Sequence, residues 1–460
     1  MSESHLSLSP LTAIGPVDGR YHAKTAVLSR YFSEYALIRY RLEVEIKYFI
    51  ALCDWPLPEL QAVTQVQRDR LLAILDHFGP EQAAEIKRIE AATNHDVKAV
   101  EYYVKERMGE MDMEAYVEFV HFGLTSQDIN HTALPMMLRS ALLEQFIPYY
   151  EQLLAQMERL AHQWREVPML ARTHGQPASP TTLGKEIRVF CDRLSAQLGH
   201  LMAIPATGKF GGATGNFNAH AFAYPEIHWP QFADHFLMEQ LGLTRQQHTT
   251  QIEHYDQMGA VCHAMARLNT ILLDLSRDVW SYISMEYFGQ HLNEGEVGSS
   301  AMPHKVNPID FENAEGNLGM ANAQFGYLAG RLPLSRLQRD LTDSTLSRNL
   351  GVPFAHTLIA LQSLEKGLAK LKLNPHKLNL DLQNNWAVLA EPIQTMLRRL
   401  GYPRPYEALK ELTRTGKPID RQALHEFLRS LDIPEWARQS MLELRPEHYT
   451  GYLFQDHPNL

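Results

Sequence analysis

The sequence lacks the residue spacings of the common metal sites. Its 22 histidines are dispersed, and even the closest pair, His248 and His254, is too far apart for an HxH, HxxxH or HExxH pattern. The three cysteines, Cys53, Cys191 and Cys262, lie far from one another in apolar, helical sequence. These patterns predict reduced, buried thiols and no metal site.

Further absences exclude other classes of protein. No G-x-S-x-G motif is present, which argues against a serine hydrolase, and the glycines of residues 207–217 lack the spacing of a dinucleotide or P-loop site. No apolar run approaches ~18 residues, so no membrane span is predicted. Residues 1–16 do not resemble a signal peptide, and we therefore expect a cytosolic protein.

The charge balance is acidic. The chain has 43 Lys and Arg against 53 Asp and Glu, a net charge of −10, and no basic stripe that could offset it. A nucleic-acid backbone is therefore not expected as the main partner. A small anion could bind where cations gather, as the four arginines of residues 331–348 do. These arginines either pair with Asp340 and Asp343 on a solvated surface or form an anion site.

The dominant pattern in the chain is helical. Apolar residues recur at alternating steps of three and four in three segments, which is the spacing of a helical core seam. The seams are Met258, Val261, Met265, Leu268, Leu272, Leu275, Val279 and Tyr282; then Leu143, Phe146, Tyr150, Leu153, Met157, Leu160 and Trp164, with a predicted kink at Pro148; and finally Leu183, Ile187, Phe190, Leu194, Leu198 and Leu201.

These seams predict the fold class. The first predicts a helix over residues 255–287, about 50 Å long, and helices of this length pack side by side in bundles. We predict an all-α fold with a long central helical bundle at residues 112–365 and smaller helical domains at 1–111 and 366–460. Shorter helices are predicted from the Ser33 N-cap onward and over residues 60–78 and 80–108. Asn94, His95 and Asp96 are either the junction of two helices or a buried polar site.

Polar loops interrupt the helices, and residues 295–308, GEVGSSAMPHKVNP, do so most strongly. Glycine and proline end a helix there, so the segment is either a solvated connection or a reactive loop positioned by rigid helices. The polar segments each carry one titratable group, namely His95, His121, His174 or Lys305. Such a set suits proton transfer on a substrate with several carboxylates or a phosphate, although a structural role is the alternative for each histidine.

Residues 298–308, GSSAMPHKVNP, resemble the signature loop GSSxMPxKxNP of the fumarase/aspartase superfamily. Residues 125–126 and 173–176 resemble its other two motifs in order and spacing. Within the superfamily, the chain resembles the adenylosuccinate lyase family of the longer bacterial type, on residues 9–21, 93–98, 309–313 and 335–349 and on His304. The chain departs from the related sequences at Gln127, where Glu is common, and in residues 251–256.

The resemblance implies a carbon–nitrogen lyase that works by β-elimination without a metal or organic cofactor. Its nucleotide substrates would be adenylosuccinate, which gives AMP and fumarate, and a succinyl-carboxamide ribonucleotide of purine biosynthesis. It also implies a homotetramer whose active sites are each shared by three subunits. The alternatives are argininosuccinate lyase or another lyase of the superfamily, and a helical scaffold without activity, which the presence of Ser299, His174 and Lys305 disfavours.

The same resemblance implies a role for each site residue. Ser299 would remove a proton from the carbon beside a carboxylate, and His174, alone or with His95, would protonate the leaving nitrogen. Lys305 and Asn307 would stabilise the carbanion, and Glu312 would orient a partner. The phosphate would be held by Arg20, Tyr21, Arg339, Ser344 and Arg348, and the rest of the substrate by Thr93, Asn94, Thr125, Ser126, Gln251, Ser300, Asn307 and Asn313.

Overall fold

The computed structural model of the protein describes residues 6–291, 305–413 and 419–455. Helix dominates this part of the chain. The helices are α1 (His22–Thr25), α2 (Ser29–Phe32), α3 (Glu34–Cys53), α4 (Gln65–Asp76), α5 (Pro80–Thr93), α6 (Asp96–Gly109), α7 (Ser126–Ala141), α8 (Ile147–Gln163), α9 (Leu183–Met202), α10 (Asn218–Ala223), α11 (Trp229–His235), α12 (Asp256–Ser284), α13 (Ile309–Arg331), α14 (Thr342–Ser347), α15 (Gly351–Ala369), α16 (Pro375–Gln383), α17 (Ala390–Arg399), α18 (Pro405–Thr413), α19 (Arg421–Ser430) and α20 (Glu435–Leu442).

Strands in the described residues are only two or three residues long and form two-stranded sheets. The pairs are β1 (Pro168–Met169) with β4 (Thr181–Thr182), β2 (Arg172–Thr173) with β3 (Gln176–Pro177) and β7 (Phe288–Gln290) with β8 (Leu371–Leu373), all antiparallel, and β5 (Thr207–Gly208) with β6 (Thr244–Arg245), which is parallel. The predicted all-α class is confirmed. No helix in the described ranges is long and apolar enough to cross a membrane.

The chain forms two compact units. Unit 1 comprises Met1–Glu151, Ala196–Leu273 and Ala314–Gln362, and unit 2 comprises Gln152–Ser195, Asp274–Asn313 and Ser363–Leu460. In unit 1, α3 packs against α6 and α7. In unit 2, the C-terminal helices enclose a cluster of buried apolar side chains that includes Trp386, Ile393, Leu397, Leu424 and Leu428. The division into three domains along the chain stays a prediction.

The helical seams are largely buried, as the periodicity predicts. Along α12, the residues from Met258 to Val279 of the first seam are buried, and the helix spans Asp256–Ser284. All six residues of the third seam are buried on α9. The prediction is wrong for Leu143, which is 50% exposed. A π-helical turn at Leu142–Phe146 adds a residue to the helix there, and this rotates Leu143 away from the core face.

That π turn directly precedes Pro148, where a kink is predicted. A proline has no N–H to donate to the carbonyl four residues earlier, and a wider turn accommodates this missing bond. Tyr150 and Leu153, which follow Pro148 on the seam, are buried. The structure therefore places a local change of helix type at this point of the sequence.

Two predicted helix boundaries had different outcomes. The Ser33 N-cap is confirmed, since Ser33 Oγ accepts the Ala36 N–H at 3.1 Å. The single helix predicted over residues 80–108 is wrong, because the chain breaks between α5 and α6. Asn94 is left-handed with φ 53°, and the His95 side chain caps α6 by accepting the Lys98 N–H. Residues 94–96 are therefore a junction of two helices.

Candidate functional site

A polar cleft of about 590 Å³ opens in unit 1. It is built by the α5–α6 junction, the first turn of α7 and the segment that enters α14. The sequence predicts six of its lining residues as site residues: Asn94, His95, Ser126, Arg339, Ser344 and Arg348. The remaining lining residues are Lys87, Glu90, Ala91, Asp96, Gln127, Asn130, Leu341 and Thr345.

His95 presents a hydrogen-bond donor to this cleft. Its Nδ1 accepts the Lys98 N–H at 3.1 Å, so in the neutral ring the proton lies on Nε2. Nε2 is 3.5 Å from Ser126 Oγ, and the His95 side chain is 50% exposed. The helix cap thus sets both the tautomer of His95 and the direction of its N–H.

The arginines of residues 331–348 divide into two groups. Arg336 pairs with Asp340 at 3.2 Å and is highly exposed, so the surface ion-pair interpretation holds for it. Arg339 lines the cleft and makes no hydrogen bond or ion pair within the described residues, and its buried Nε has no partner there. Arg348 donates to the Ser344 carbonyl at 3.0 Å and lies 3.4 Å from Asp96. Arg339 in particular leaves a guanidinium available for an anion.

Asp96 links the cleft to the helix behind it. Its Oδ2 accepts from Arg41 Nη2 at 2.6 Å, and Arg41 is buried. Burial acts to raise the pKa of Asp96, but the charge of Arg41 and the surrounding hydrogen bonds outweigh it and lower the pKa. The carboxylate therefore stays ionised beside Arg348, whose guanidinium it holds at the edge of the cleft.

Thr125 and Ser126 are positioned by a residue that sequence reasoning missed. Asp128, fully buried on α7, accepts the Thr125 N–H at 2.8 Å and Lys209 Nζ at 2.7 Å. It also accepts the N–H groups of Gly211 and Gly212 at 2.9 and 3.1 Å. Gly211 and Gly212 have positive φ values of 158° and 78°, which lets their N–H groups converge. The glycine-rich segment thus encloses a carboxylate of the protein itself.

A local signal for Asp128 exists in the sequence. Thr125 and Asp128 have the spacing of a capping box at the start of an apolar helix, and the structure forms the half of it in which Asp128 accepts the Thr125 N–H. The spacing indicates the helix start, but it cannot show that Lys209 and two glycines from a distant segment complete the site. That contact depends on tertiary packing.

The other predicted residues of unit 1 do not line the cleft. Arg20 is exposed just before α1, and Tyr21 follows it. The Thr93 hydroxyl donates to the Ile89 carbonyl within α5 at 3.0 Å. Thr125 caps α7, and Gln251 is partly buried between β6 and α12.

His121 has a structural partner in unit 1. Its Nδ1 is 2.6 Å from Glu45 Oε1, and Glu45 is fully buried. Burial acts to lower the pKa of His121, but the charge of Glu45 and the hydrogen bond to it outweigh burial and raise the pKa. His121 is not among the residues that line the cleft.

In unit 2, His174 lies at the tip of a hairpin. Strands β2 and β3 are joined by His174 and Gly175, with φ values of 54° and 75°. Two positive φ values in a two-residue loop are typical of a type I′ turn, which glycine adopts readily. The turn leaves the His174 side chain exposed, where it could meet a substrate.

The predicted loop residues of unit 2 are described only in part. Ser299, Ser300 and His304 lie outside the described residues. Lys305 is exposed and Asn307 partly buried in the segment that leads into α13. At the start of α13, Glu312 Oε1 accepts Trp280 Nε1–H at 3.1 Å, and Asn313 Oδ1 accepts Ser363 Oγ–H at 2.8 Å.

Comparisons with known proteins decide the family. A family profile described as Lyase matches residues 19–322, and one described as Adenylosuccinate lyase C-terminal matches residues 335–450. The adenylosuccinate lyase of Dictyostelium discoideum is 52% identical over 461 residues, which cover 98% of this chain and 98% of that protein. The adenylosuccinate lyase of Escherichia coli (strain K12) is 48% identical over 448 residues, which cover 97% and 98%.

This chain belongs to the adenylosuccinate lyase family. The resemblance seen in residues 298–308 and the other motifs is thereby confirmed. Adenylosuccinate lyases are carbon–nitrogen lyases, so the cleft of unit 1 is a candidate site for the cleavage of a carbon–nitrogen bond.

Two solved structures with other enzyme names have a fold similar to that of this chain. The 3-carboxy-cis,cis-muconate lactonizing enzyme from Pseudomonas putida matches with a TM-score of 0.71 at 20% identity, over 94% of this chain and 95% of that chain. The β-carboxy-cis,cis-muconate cycloisomerase from Acinetobacter calcoaceticus sp. ADP1 matches with a TM-score of 0.68 at 18% identity, over 93% of this chain and 95% of that chain. At these identities the likeness concerns the fold alone.

Proposed function

We propose that the protein cleaves adenylosuccinate to AMP and fumarate by β-elimination, and the succinyl-carboxamide ribonucleotide to its carboxamide ribonucleotide and fumarate, in purine nucleotide biosynthesis. The observation that carries the proposal is the guanidinium of Arg339, unpaired within the described residues, which opens beside Ser344 and Arg348 into the cleft that also receives His95 Nε2. An anion subsite next to a proton-transfer group fits a phosphorylated substrate.

The phosphate end of the substrate is assigned to the arginine side of the cleft. Arg339 supplies a planar fork of donors, and Ser344 and Arg348 lie on the same wall. Arg20 and Tyr21 join them in this proposal. Asn94, Ser126 and the remaining predicted substrate-binding residues, Thr93, Thr125, Gln251, Ser300, Asn307 and Asn313, are assigned to the base and the succinyl group.

The chemical step needs one base and one acid. Ser299, as an alkoxide, takes the proton from the carbon beside a carboxylate and becomes a hydroxyl. The electron pair of the broken C–H bond is held by that carboxylate, which Lys305 and Asn307 stabilise. The electron pair then forms the double bond of fumarate while the C–N bond breaks. The leaving purine nitrogen takes a proton from His174. Proton transfer suffices for every step, so we propose neither a metal nor an organic cofactor.

His95 acts in this scheme as a fixed donor. Because its Nδ1 is occupied by the Lys98 N–H, the ring presents Nε2–H to the cleft. A directed N–H stabilises developing charge on a substrate without needing to change its own protonation state. We assign His95 to orienting the substrate and Glu312 to supporting the segment that carries Lys305.

We further propose a cytosolic homotetramer in which three subunits complete each active site. Large apolar side chains exposed on long helices, Val189 on α9 and Met320 and Tyr327 on α13, favour an assembled bundle. Three free, buried cysteines fit a reducing compartment. Sharing of sites between subunits would let His174 and Ser299 reach the cleft of another copy.

The activity is tested by incubating the purified protein with adenylosuccinate and following the ultraviolet spectrum of the purine. We expect a spectral change to that of AMP and the release of equimolar fumarate. Argininosuccinate is the matched control substrate, and we expect no turnover of it. Turnover of argininosuccinate alone would overturn the assignment.

The residue roles and the shared site are tested together. Ser299→Ala and His174→Ala should each abolish turnover while leaving the assembly intact by size-exclusion chromatography. Mixing these two inactive variants should restore part of the activity, because a mixed assembly contains sites with both native residues. If subunits demonstrably exchange and no activity returns, the sites are not shared between subunits.

A further inference from the structure

A network of buried polar side chains lies behind the cleft in unit 1, and the proposed mechanism does not use it. At its centre is Asp343, 5% exposed and adjacent in sequence to Ser344. Asp343 Oδ1 accepts the Ser344 N–H at 2.8 Å. Its Oδ2 lies 3.3 Å from Tyr255 Oη, His131 Nε2 and Gln127 Nε2. Three neutral polar groups from two other elements thus surround the second oxygen.

The hydrogen bonds of this network have a defined direction. His131 Nδ1 accepts the Glu253 N–H at 2.8 Å, which places the proton of the neutral ring on Nε2. Burial lowers the pKa of His131, in agreement with a neutral ring. The Nε2–H of His131 is shared between Tyr255 Oη at 2.9 Å and Asp343 Oδ2 at 3.3 Å, and Tyr255 donates its hydroxyl proton to Asp343. Gln127 Nε2 lies 3.0 Å from His131 Nε2; since both are donors there, Gln127 donates to Asp343 instead. The chain of donors ends on the Asp343 carboxylate.

The network continues to the opposite wall of the cleft. Gln127 Oε1 accepts from Asn130 Nδ2 at 2.7 Å, and Asn130 Oδ1 accepts from Arg41 Nε at 2.8 Å. Arg41 then pairs with Asp96 at 2.6 Å. The helix that begins at Asp96, the helix that carries Gln127 and the segment around Asp343 are therefore held by one set of hydrogen bonds.

Asp343 stands close to a cation without forming an ion pair with it. Arg339 acts electrostatically on Asp343, Tyr255 and His131, yet no ion pair between Arg339 and Asp343 forms in the described residues. Burial acts to raise the pKa of Asp343, but the hydrogen bonds from His131 and Ser344 and the charge of Arg339 outweigh it. Donors from Tyr255, His131 and Gln127 already surround Asp343 Oδ2, so this oxygen attracts the guanidinium without binding it.

We propose that Asp343, whose Oδ2 is surrounded by donors from Tyr255 and His131, is a positioning residue that holds Ser344 and leaves Arg339 free to bind the substrate phosphate. The inference rests on the proposed function, because it assigns the phosphate to Arg339. The substitution Tyr255→Phe tests this inference most directly. Without the Tyr255 hydroxyl, Asp343 Oδ2 gains a free lone pair that can recruit the guanidinium away from the cleft.

The experiment measures the binding of AMP and of adenosine by calorimetry. In Tyr255→Phe we expect the Kd for AMP to rise about tenfold, the equivalent of about one hydrogen bond to a charged group. The Kd for adenosine, which lacks the phosphate, should stay unchanged. Tyr224→Phe is the matched control, since the Tyr224 hydroxyl bonds the exposed Glu59 at 2.6 Å, away from the cleft. It should bind both ligands as the native protein does.

A double-mutant cycle separates positioning from a general structural effect. In the Arg339→Ala background, Tyr255→Phe should have no further effect on AMP binding, because the group it positions is gone. Equal weakening of AMP and adenosine, or an undiminished effect in that background, would overturn the inference. Asp343→Asn, which keeps the shape of the side chain but removes the charge that attracts Arg339, provides a second background, in which Tyr255→Phe should likewise have no effect on AMP binding.

The outcome also distinguishes this inference from the proposed function. If the native protein does not turn over adenylosuccinate but the AMP cycle shows the expected coupling, the proposed reaction fails while the positioning role stands. If turnover is normal and coupling is absent, the reaction stands and Asp343 has no positioning role.

Discussion

Lys209 Nζ lies 2.7 Å from Asp128 Oδ1, and both side chains are completely buried in unit 1. Burial lowers the pKa of Lys209, and the charge of Asp128 opposes this shift. The pair is surrounded by backbone groups of Thr125, Gly211 and Gly212, which supply further hydrogen bonds to the carboxylate. This ion pair joins the first turn of α7, which borders the cleft, to the glycine-rich segment.

Replacing Lys209 by Met should destabilise the protein strongly. The substitution leaves the Asp128 carboxylate buried without its cation, and breaking a buried pair in this way costs about 3–5 kcal/mol. Urea denaturation measures the loss. Arg336→Met, which breaks the exposed pair with Asp340, is the control and should cost less than about 1 kcal/mol. Equal effects of the two substitutions would contradict the structural role of the buried pair.

His121 should contribute stability that depends on pH. Because Glu45 raises the pKa of His121 above 6.5, the folded state binds the proton more tightly than the unfolded chain does. The contribution is therefore fully present below pH 6.5 and is lost as pH rises through the folded-state value. His121→Asn keeps a donor and tolerates the positive φ of 60°. The difference in unfolding free energy between native protein and variant should shrink on going from acidic to alkaline pH.

A difference that stays constant with pH would show that folding does not shift the pKa of His121. The measurement is a series of denaturation curves for both proteins across that range. His200→Asn, at an exposed position on α9, should leave the native profile unchanged.

Glu253 should have the opposite dependence on pH. Its carboxyl group is 2% exposed, and burial raises its pKa from 4.5 to about 7. The unfolded chain releases this proton at lower pH than the folded protein, so stability falls as pH rises from 4.5 to about 7. The shift corresponds to about 3 kcal/mol.

Glu253→Gln removes this titration and should flatten the pH profile of stability. Relative to the native protein, the free energy of unfolding of the variant should increase by up to about 3 kcal/mol as pH rises to 8, and by little near pH 4.5. Thermal or urea unfolding at several pH values measures the profile. The exposed Glu239→Gln serves as control and should follow the native curve. Parallel profiles for Glu253→Gln and the native protein would refute the raised pKa.

Arg339→Lys should weaken substrate binding although it keeps the charge. A lysine cannot form two parallel hydrogen bonds to a phosphate, and losing one charge-assisted bond costs about 1.5 kcal/mol, or about tenfold in KM. Arg336→Lys, on the exposed side of the same segment, should leave KM unchanged. Steady-state kinetics with adenylosuccinate measure both variants. An unchanged KM in Arg339→Lys would remove Arg339 from the phosphate subsite.

The sequence predicts much of the local structure of this protein. The buried seams of α9 and α12 follow from apolar residues that recur with the period of a helix, and the Ser33 cap follows from its hydroxyl. Such features depend on residues that are near one another in the chain. The motif of residues 298–308 likewise indicates the family, because its specified positions are contiguous in the sequence.

The tertiary structure decides which polar groups meet. The sequence leaves open whether the arginines of residues 331–348 pair with acids or bind an anion, and only the fold separates the exposed Arg336 from Arg339 in the cleft. It likewise brings Lys209 to Asp128 across 81 positions of the chain. Hydrogen bonds and ion pairs act over a few ångströms, so partners from distant segments are known only once the backbone has placed them together.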